Sequence, residues 1–425
     1  MKNPRLILGD GFAGVKGLVV GLALLVPVLA THVEAQSYAL LNWPMGPGGE
    51  TTPSVYTQNS TNTWFSAANF NGYVYVVDSY QNWNNGKPSN NNLDLLRLGI
   101  GSAGALNNLS RVGQASTSGT FATTCQPATC VFNNCLYYFY ASSPGLQQAL
   151  LWYGCYNGSD FVFQQNTIPN FYSYTNYIAA TVIDGSMVVF TYSFINGVGY
   201  CLNYTATTDG VNWSAPASLM TFSGGPGGYV GLAAASFYNT STGKMNVMLT
   251  RGALILPAQT EWEFITDVWD GTTYTKNYAP PVTTPYPLST FTLQNGTVQG
   301  GTKTTDAMQL WTQCMLPNKS TGPPDNSALY CNTQVYHYEL ALGQAAPAWN
   351  GTGQLTIPTP QGSYLGYDGS CQALCSAVVG SNAAGGATIQ QYVEVIGLNA
   401  AEGGLRGRFS PPTSVPSPPH TVPTN

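Results

Sequence analysis

The chain has 425 residues, a formal net charge of −5 at pH 7 and only 7% charged residues. A weakly acidic, charge-poor surface argues against nucleic acid as a partner, because nucleic-acid binding needs a basic footprint. With three histidines, a histidine-based metal site or a Ser–His–Asp triad is difficult to build, and we expect neither a metal nor a cofactor.

Residues 1–35 have the pattern of a secretory signal peptide. A basic start precedes an apolar run at 17–30, and small residues at Val33 and Ala35 provide a cleavage site. The run is too short and too interrupted by proline for a comfortable transmembrane helix, and an uncleaved N-terminal anchor is the alternative. We therefore expect a secreted or cell-surface protein with no membrane span after cleavage.

Beyond this leader, one pattern occurs six times: a strand of small residues, a tight turn, and a strand of aromatic and β-branched residues. The copies share an apolar position that recurs every 51 to 81 residues. These matched positions are Val74, Leu136, Met187, Met245, Met308 and Ile389. Repeats of this length with about four strands each predict a β-propeller over residues 36–405, because blades that stack radially cover each other's apolar faces.

Six units predict six four-stranded blades. Five or seven blades are also compatible with the pattern, because the fifth unit is loose and an N-terminal strand at 38–44 could close the ring. A parallel β-helix and a two-sheet sandwich are the competing all-β structures.

A second element follows the repeated hairpin in four units. It has Trp, Tyr or Thr, then Asp or Asn, then Gly, ahead of another strand, at 156–163, 208–215, 269–276 and 349–356. Such sequences favour tight turns, because the Asp or Asn side chain caps the backbone and Gly adopts a positive φ. The turn residues that this predicts are Asp209, Gly210, Trp213, Asp270 and Gly271.

Nine cysteines in an exported chain favour disulfides over zinc, and the odd count leaves one unpaired. The spacing of adjacent strands and of short loops suggests the pairs. The predicted pairs are Cys135–Cys155, Cys314–Cys331, Cys371–Cys375 and Cys125–Cys130, which leaves Cys201 free. Connectivity does not follow from sequence alone, so these pairs are hypotheses.

The chain also contains nine Asn-x-Ser/Thr sequons, which mark surface positions if the host glycosylates the protein. They begin at Asn59, Asn108, Asn157, Asn203, Asn212, Asn239, Asn295, Asn318 and Asn350. Residues 406–425 are rich in Pro, Ser and Thr and predict an extended tail that need not pack.

The segment from Thr207 to Trp213 resembles the Asp-box (BNR) repeat of sialidases and related propellers, Ser/Thr-x-Asp-x-Gly-x-x-Trp in its usual form. This copy is one residue shorter between Asp and Gly, and the copies at Asp270-Gly271 and Asn350-Gly351 are weaker. In that family the box lies in the hairpin between the third and fourth strands of a blade. The resemblance implies the fold rather than the activity.

A sialidase uses an arginine triad, and the Arg-Ile-Pro motif of that family is absent from this chain. Only three arginines lie between the leader and the tail: Arg97, Arg111 and Arg251. The family pattern places ligands on the propeller face opposite the Asp-Gly turns.

Candidate site residues are polar and aromatic side chains expected on that opposite face. The ligand-binding candidates are Asp78, Tyr80, Trp83, Tyr192 and Arg251. The carboxylates that could act in catalysis are Asp78, Glu261, Glu263 and Asp368. Because Asp78 and Arg251 both end second strands, six blades would place them across a central funnel, where they could hold a sugar hydroxyl pair or an acidic sugar.

The composition also suits carbohydrate, since 27 tyrosines and nine tryptophans can stack on sugar rings. The first hypothesis is a lectin-like protein that binds an extracellular glycan or another extracellular polymer at the funnel. A glycoside hydrolase that uses funnel carboxylates is the alternative, and a structural cell-surface or adhesin component is the second alternative. The sequence leaves the oligomeric state open.

Overall fold

The computed structural model describes residues 39–40, 64–84, 87–100, 106–116, 126–142, 150–172, 174–195, 198–222, 229–254, 262–284, 288–298, 307–315, 333–354, 371–384, 388–399 and 406–409. All of them belong to one compact unit, Ser37–Asn425. The other compact unit, Met1–Gln36, contains the predicted signal peptide and lies outside the described residues. Within the described ranges, no helix is long and apolar enough to cross a membrane.

The described chain is all β, and five of its sheets have four antiparallel strands in chain order. After a short strand β1 (Ala39–Leu40), blade 1 contains β2 (Trp64–Phe70), β3 (Tyr73–Asn84), β4 (Lys87–Ile100) and β5 (Leu106–Gln114). Blade 2 contains β6 (Ala128–Phe132), β7 (Cys135–Ser142), β8 (Leu150–Tyr156) and β9 (Phe161–Tyr172). Blade 3 contains β10 (Tyr174–Ile183), β11 (Ser186–Ile195), β12 (Gly199–Thr207) and β13 (Ala217–Phe222).

The next two blades and a closing sheet complete the described chain. Blade 4 contains β14 (Tyr229–Asn239), β15 (Lys244–Leu254), β16 (Trp262–Trp269) and β17 (Tyr274–Thr284). Blade 5 contains β18 (Leu288–Asn295), β20 (Ala307–Met315), β21 (Thr333–Ala341) and β22 (Trp349–Gln354), with β19 (Thr297–Val298) leaving the blade. The closing sheet contains β23 (Cys371–Ala384), β24 (Thr388–Asn399), β25 (Arg406–Phe409), β1 and β19.

The closing sheet lies between blade 5 and blade 1. Its strand β23 contacts β2 on one side and β18 on the other. The Asn69 side chain donates to the Val378 carbonyl at 2.8 Å, and the hydroxyls of Thr292 and Ser376 lie 2.5 Å apart. The molecule is therefore a β-propeller, with its inner strands arranged in a ring, rather than a β-helix or a sandwich.

The structure has five four-stranded blades, a number that the pattern allowed, rather than the six that six units predict. The sixth unit supplies only two long strands, and its sheet is completed by two-residue strands from other parts of the chain, including the parallel strand β19. The expected N-terminal strand is present as β1, which pairs with β25. Residues 406–409, at the start of the predicted tail, thus form a strand, and residues 410–425 lie outside the described residues.

The repeat register agrees with the strand boundaries. Each of the six matched apolar positions is the second residue of a strand that follows a repeated hairpin turn. These strands are β3, β7, β11, β15, β20 and β24. Small residues such as Ala67, Ala179 and Ala233 lie buried on the inner strands, where the blades are closest together. Because successive side chains of a strand point to opposite faces, the apolar pattern predicts both the strand and the face that packs against the next blade.

Aromatic residues near the third-to-fourth-strand turns connect neighbouring blades, and we call them latch aromatics: Tyr156, Trp213, Trp269 and Trp349. The ring centroid of Trp213 lies 5.3 Å from that of Tyr153, and the ring centroid of Trp269 lies 4.7 Å from that of Tyr204. In each case the partner belongs to the preceding blade. Trp349 also donates from Nε1 to the Thr266 hydroxyl of the preceding blade at 2.8 Å.

Candidate functional site

The two faces of the propeller carry different connections. The turn face carries the turns between first and second strands and between third and fourth strands. The loop face carries the connections between second and third strands and between successive sheets. Most loop-face connections lie outside the described residues, among them 143–149, 255–261 and 355–370.

Asp209 is held in a turn of blade 3 on the turn face. Its Oδ1 accepts the backbone N–H groups of Asn212 at 2.7 Å and Val211 at 2.9 Å, and its Oδ2 accepts the Asn212 amide at 2.6 Å. The backbone N–H of Asn212, followed by that of Val211, lowers the pKa of Asp209 well below its usual range. Gly210 has a φ of 81°, and a Cβ there would collide with the Tyr137 hydroxyl of blade 2. The carboxylate therefore stabilises a turn and is already fully hydrogen-bonded.

Two other turns repeat this arrangement. Asp270 Oδ1 accepts the backbone N–H groups of Thr272 at 2.9 Å and Thr273 at 2.6 Å, and Gly271 has a φ of 92°. In blade 2, Asn157 makes the corresponding contacts through its amide oxygen. The expected fourth copy at 349–356 is wrong as a turn, because Asn350 and Gly351 lie within β22, where they pair with Glu339 and Tyr338.

Asp78 is buried in blade 1 and is only 1% exposed. It lies directly opposite Asp94 on the neighbouring strand. Arg111 forms a bidentate ion pair with Asp94, in which Nε donates to Oδ2 and Nη2 donates to Oδ1, each at 2.9 Å. Among the described residues, Asp78 Oδ1 has no hydrogen-bond partner. Burial, and then the neighbouring Asp94, raise the pKa of Asp78 well above its usual value, so its carboxyl keeps its proton to a higher pH than an exposed aspartate.

Arg251 is buried in blade 4 and is only 3% exposed. Its Nε lies 3.1 Å from Asp267 Oδ2. Asp267 also accepts the Tyr274 hydroxyl at 2.5 Å and the Asn277 backbone N–H at 2.9 Å. Arg251 thus belongs to a buried ion pair inside its blade.

Asp78 lies in blade 1 beside Asp94, and Arg251 lies in blade 4 beside Asp267. Each of these two predicted funnel residues therefore has a charged neighbour within its own blade, and their shared ligand-binding role stays a prediction. Tyr192 is buried among aromatic rings, with its centroid 5.3 Å from that of Tyr200.

The remaining candidates are described only in part or not at all. Glu263 lies on β16 with its side chain partly buried. Tyr80 and Trp83 lie on β3, but their side chains are outside the described residues. Glu261 and Asp368 lie outside the described residues altogether. Binding and catalytic roles for these residues stay predictions.

Sequence reasoning missed a polar network in blade 5. His337 Nε2 lies 2.7 Å from Gln309 Oε1, and Gln309 Nε2 donates to Glu339 Oε2 at 3.2 Å. Trp311 stacks on the imidazole with ring centroids 4.8 Å apart. The signal was available in the alternation of polar residues on two adjacent strands, because Gln309 pairs with Glu339 and Trp311 pairs with His337.

A central channel runs between the inner strands and contains about 470 Å³ of space, part of it open to solvent. Residues from all six sheets line it. Its polar lining consists of hydroxyl and amide side chains: Ser66, Thr129, Thr292, Ser376, Gln126 and Gln294. Apart from these, the described lining is apolar or small, and none of it is charged.

The arginines whose side chains the structure describes lie elsewhere. Arg97 lies over the ring of Tyr73 at 4.8 Å, next to the turn face. Arg111 and Arg251 are held by the aspartates of their own blades. The described part of the channel therefore offers neutral hydrogen-bonding groups rather than an anion site.

Five cysteines in the described residues are thiols: Cys130, Cys135, Cys155, Cys201 and Cys375. Cys155 pairs with Tyr137 on the neighbouring strand. Cys135 lies two residues before Tyr137 on the same face of that strand, so the thiols of Cys135 and Cys155 are within hydrogen-bonding contact. Cys125 and Cys331 lie outside the described residues, as do the side chains of Cys314 and Cys371. The predicted Cys135–Cys155 disulfide is not formed in the structure, where both residues are thiols, and the three pairs that include Cys125, Cys314, Cys331 or Cys371 stay predictions. In the described part of the chain, no three His, Cys, Asp or Glu side chains form a metal-binding group.

Comparisons with known proteins agree with the fold. No family model matches this chain, and no curated protein matches it. An α-L-arabinofuranosidase from Fusarium graminearum, solved with an iminosugar inhibitor, superposes with a TM-score of 0.52 and 11% identity, over 88% of this chain and 96% of that one. Trypanosoma rangeli sialidase superposes with a TM-score of 0.50 and 11% identity, over 88% of this chain and 59% of that one. At this identity the similarity establishes the shared propeller fold alone.

Proposed function

We propose that this protein binds neutral carbohydrate in its central channel, in a lectin-like manner, as a secreted or cell-surface protein. The observation that carries the proposal is the uncharged hydroxyl and amide lining of the channel. Such groups match the donors and acceptors of sugar hydroxyls.

The same lining favours neutral over acidic sugars. A sugar carboxylate is best held by a bidentate ion pair with an arginine. Arg111 and Arg251 already make contacts with buried aspartates, and Arg97 lies beside the turn face. Two solved structures of this fold are an arabinofuranosidase and a sialidase, which supports a carbohydrate as the ligand class.

The test measures binding of the purified chain to an array of neutral and sialylated glycans, followed by calorimetric titration with the best ligand. Thr129→Val and Thr292→Val each keep the side-chain shape and remove one channel hydroxyl. We expect each to weaken binding about fivefold to tenfold, the effect of one lost hydrogen bond. Thr283→Val, on the exposed outer strand of blade 4, is the matched control and should leave affinity unchanged.

Two results would overturn the proposal. Binding restricted to sialylated glycans would contradict a neutral channel. Absence of binding to any glycan would instead favour the structural cell-surface or adhesin hypothesis.

Glycoside hydrolysis is the second candidate function, because an arabinofuranosidase and a sialidase share this fold. A glycosidase needs one carboxyl that keeps its proton and a second carboxylate nearby. Asp78 and Asp94 lie opposite each other, but Asp78 is only 1% exposed, so the described structure gives a substrate no direct access to this pair. Turnover of chromogenic glycosides that Asp78→Asn abolishes would favour an enzyme, whereas saturable binding without turnover would favour the lectin-like protein.

A further inference from the structure

The sequons in the described chain differ in where they lie. Three of them have exposed asparagines at or beside third-to-fourth-strand turns: Asn157 in blade 2, Asn212 in blade 3 and Asn350 in blade 5. All three turns belong to the turn face. A fourth sequon on this face begins at Asn239, which is half-buried, and we assign no glycan to it.

Two other sequons are incompatible with a glycan in the folded chain. Asn203 lies in the middle of β12, and the hydroxyl of its sequon residue Thr205 is buried and donates to the Ser214 carbonyl at 2.7 Å. Asn295 is half-buried, and its side-chain amide donates to the Ser236 carbonyl of the neighbouring blade at 3.3 Å. A glycan on either amide would have to displace packed protein.

We propose that the turn face is the glycosylated face of this protein, with N-linked glycans on Asn157, Asn212 and Asn350. The donor is a polyisoprenyl pyrophosphate-linked oligosaccharide. The side-chain amide nitrogen bonds to the anomeric carbon of the sugar, and the bond from that carbon to the lipid pyrophosphate breaks. The lipid pyrophosphate leaves with the bonding electron pair, and the amide loses one proton.

The turns can keep their hydrogen bonds after this modification. Asn157 stabilises its turn through its amide oxygen, which accepts the N–H groups of Ser159 and Asp160 at 2.9 Å each and is unchanged by the transfer. Asn212 donates to Asp209 through its side-chain nitrogen at 2.6 Å, and a glycosylated amide retains one N–H. Glycans on these three positions would project from the turn face.

The test uses the full chain with its own leader, secreted from cultured insect cells. Peptide-N-glycosidase treatment in ¹⁸O-labelled water converts each glycosylated Asn to labelled Asp, and mass spectrometry reads the occupancy at each site. We expect label at Asn157, Asn212 and Asn350 and none at Asn203 or Asn295. Ser159→Ala removes the first sequon and preserves Asn157 in its turn, so it should lower the mass of the intact protein by one glycan.

Glycan occupancy at Asn203 or Asn295 would overturn the proposal. So would the absence of glycan from Asn157, Asn212 and Asn350, whether the protein is recovered from the medium or from the cells. The readout is independent of ligand binding, so it stands or falls separately from the proposed function. If both proposals hold, enzymatic removal of the glycans should leave the affinity for carbohydrate unchanged.

Discussion

Single carboxylates in this protein have opposite properties because of where their side chains point. Asp209 is exposed and surrounded by N–H donors, which favour its charged form. Asp78 is buried next to another carboxyl group, which favours its neutral form. The same residue type therefore stabilises a turn in blade 3 and lies buried beside a second carboxyl group in blade 1.

Asp78→Asn should stabilise the protein at neutral pH. The folded-state pKa of Asp78 is raised, so its contribution to stability is complete below the unfolded pKa of about 3.9 and is lost as the pH rises towards the folded pKa. An asparagine has no charge to bury and can donate to Asp94. We expect the free energy of unfolding in urea to rise by about 1 to 3 kcal/mol at pH 8, with a smaller gain at pH 4.

The exposed Asp160→Asn variant is the control for that comparison. Equal urea midpoints for Asp78→Asn and the unmodified protein at both pH values would show that burial of Asp78 costs no stability.

Arg251→Met should destabilise blade 4, because it leaves Asp267 buried without its cationic partner. Removing one member of a buried pair typically costs about 3 to 5 kcal/mol. The double variant Arg251→Met/Asp267→Asn removes the charge and preserves acceptance from the Asn277 N–H, so it should recover much of that loss in thermal unfolding. If the single variant keeps full stability but loses glycan binding, Arg251 is a ligand residue rather than a structural one.

At the scale of elements, the repeated turn and the interface between blades act together. A latch aromatic follows or precedes the Asp-Gly or Asn-Gly pair and packs on the preceding blade. In blade 3 the ring of Trp213 meets Phe139 and Tyr153 edge-on, at centroid distances of 5.9 and 5.3 Å. Turn geometry thereby positions a large ring in the interface.

Trp213→Ala should destabilise the protein by about 3 kcal/mol, the low end of the range for deleting a large aromatic side chain, because Trp213 is only partly buried. Val211→Ala changes an apolar side chain in the same turn that is 59% exposed, and should alter stability by less than about 0.5 kcal/mol. Chemical denaturation of the two variants measures the difference. Similar losses for both would mean that the turn, rather than the interface, is the sensitive element.

The strands were predictable because their signals are local. A hairpin needs turn residues and alternation, and both lie within a dozen residues of Val74 or Met187. The site was not predictable in the same way. The surroundings of Asp78 depend on its partner Asp94, sixteen residues along the chain, and the same holds for Arg251 and Asp267. Repeat alignment identifies equivalent positions but not the charges that meet across strands.

At the scale of the whole molecule, the closing sheet was the hardest part to predict. Strands β1 and β19 have two residues each, too few for any periodicity to show. Their positions are set by the partners that they find, β25 and β24. The sixth unit therefore reads as a blade in the sequence, whereas the structure forms a composite sheet from separate segments.

Removal of residues 406–425 should lower the thermal unfolding midpoint, because β24 loses β25, one of its two antiparallel partners, and β1 loses its only neighbour among the described strands. Removal of residues 411–425 alone spares β25 and should leave the midpoint unchanged. Differential scanning calorimetry of the two truncations makes the comparison. Equal midpoints for both would show that β25 contributes nothing to stability.

The pairing of β1 with β25 also has a consequence for biosynthesis. Ala39 is among the first residues of the compact unit to be synthesised, and its partner Phe409 is among the last. Domains generally fold as units during synthesis, and bringing together such distant segments carries a cost in loop-closure entropy. The blades can form one after another as the chain emerges, but this pairing can form only after residue 409 has been synthesised. Until then β1 has no partner among the described strands, and the propeller depends on its folding environment during that interval.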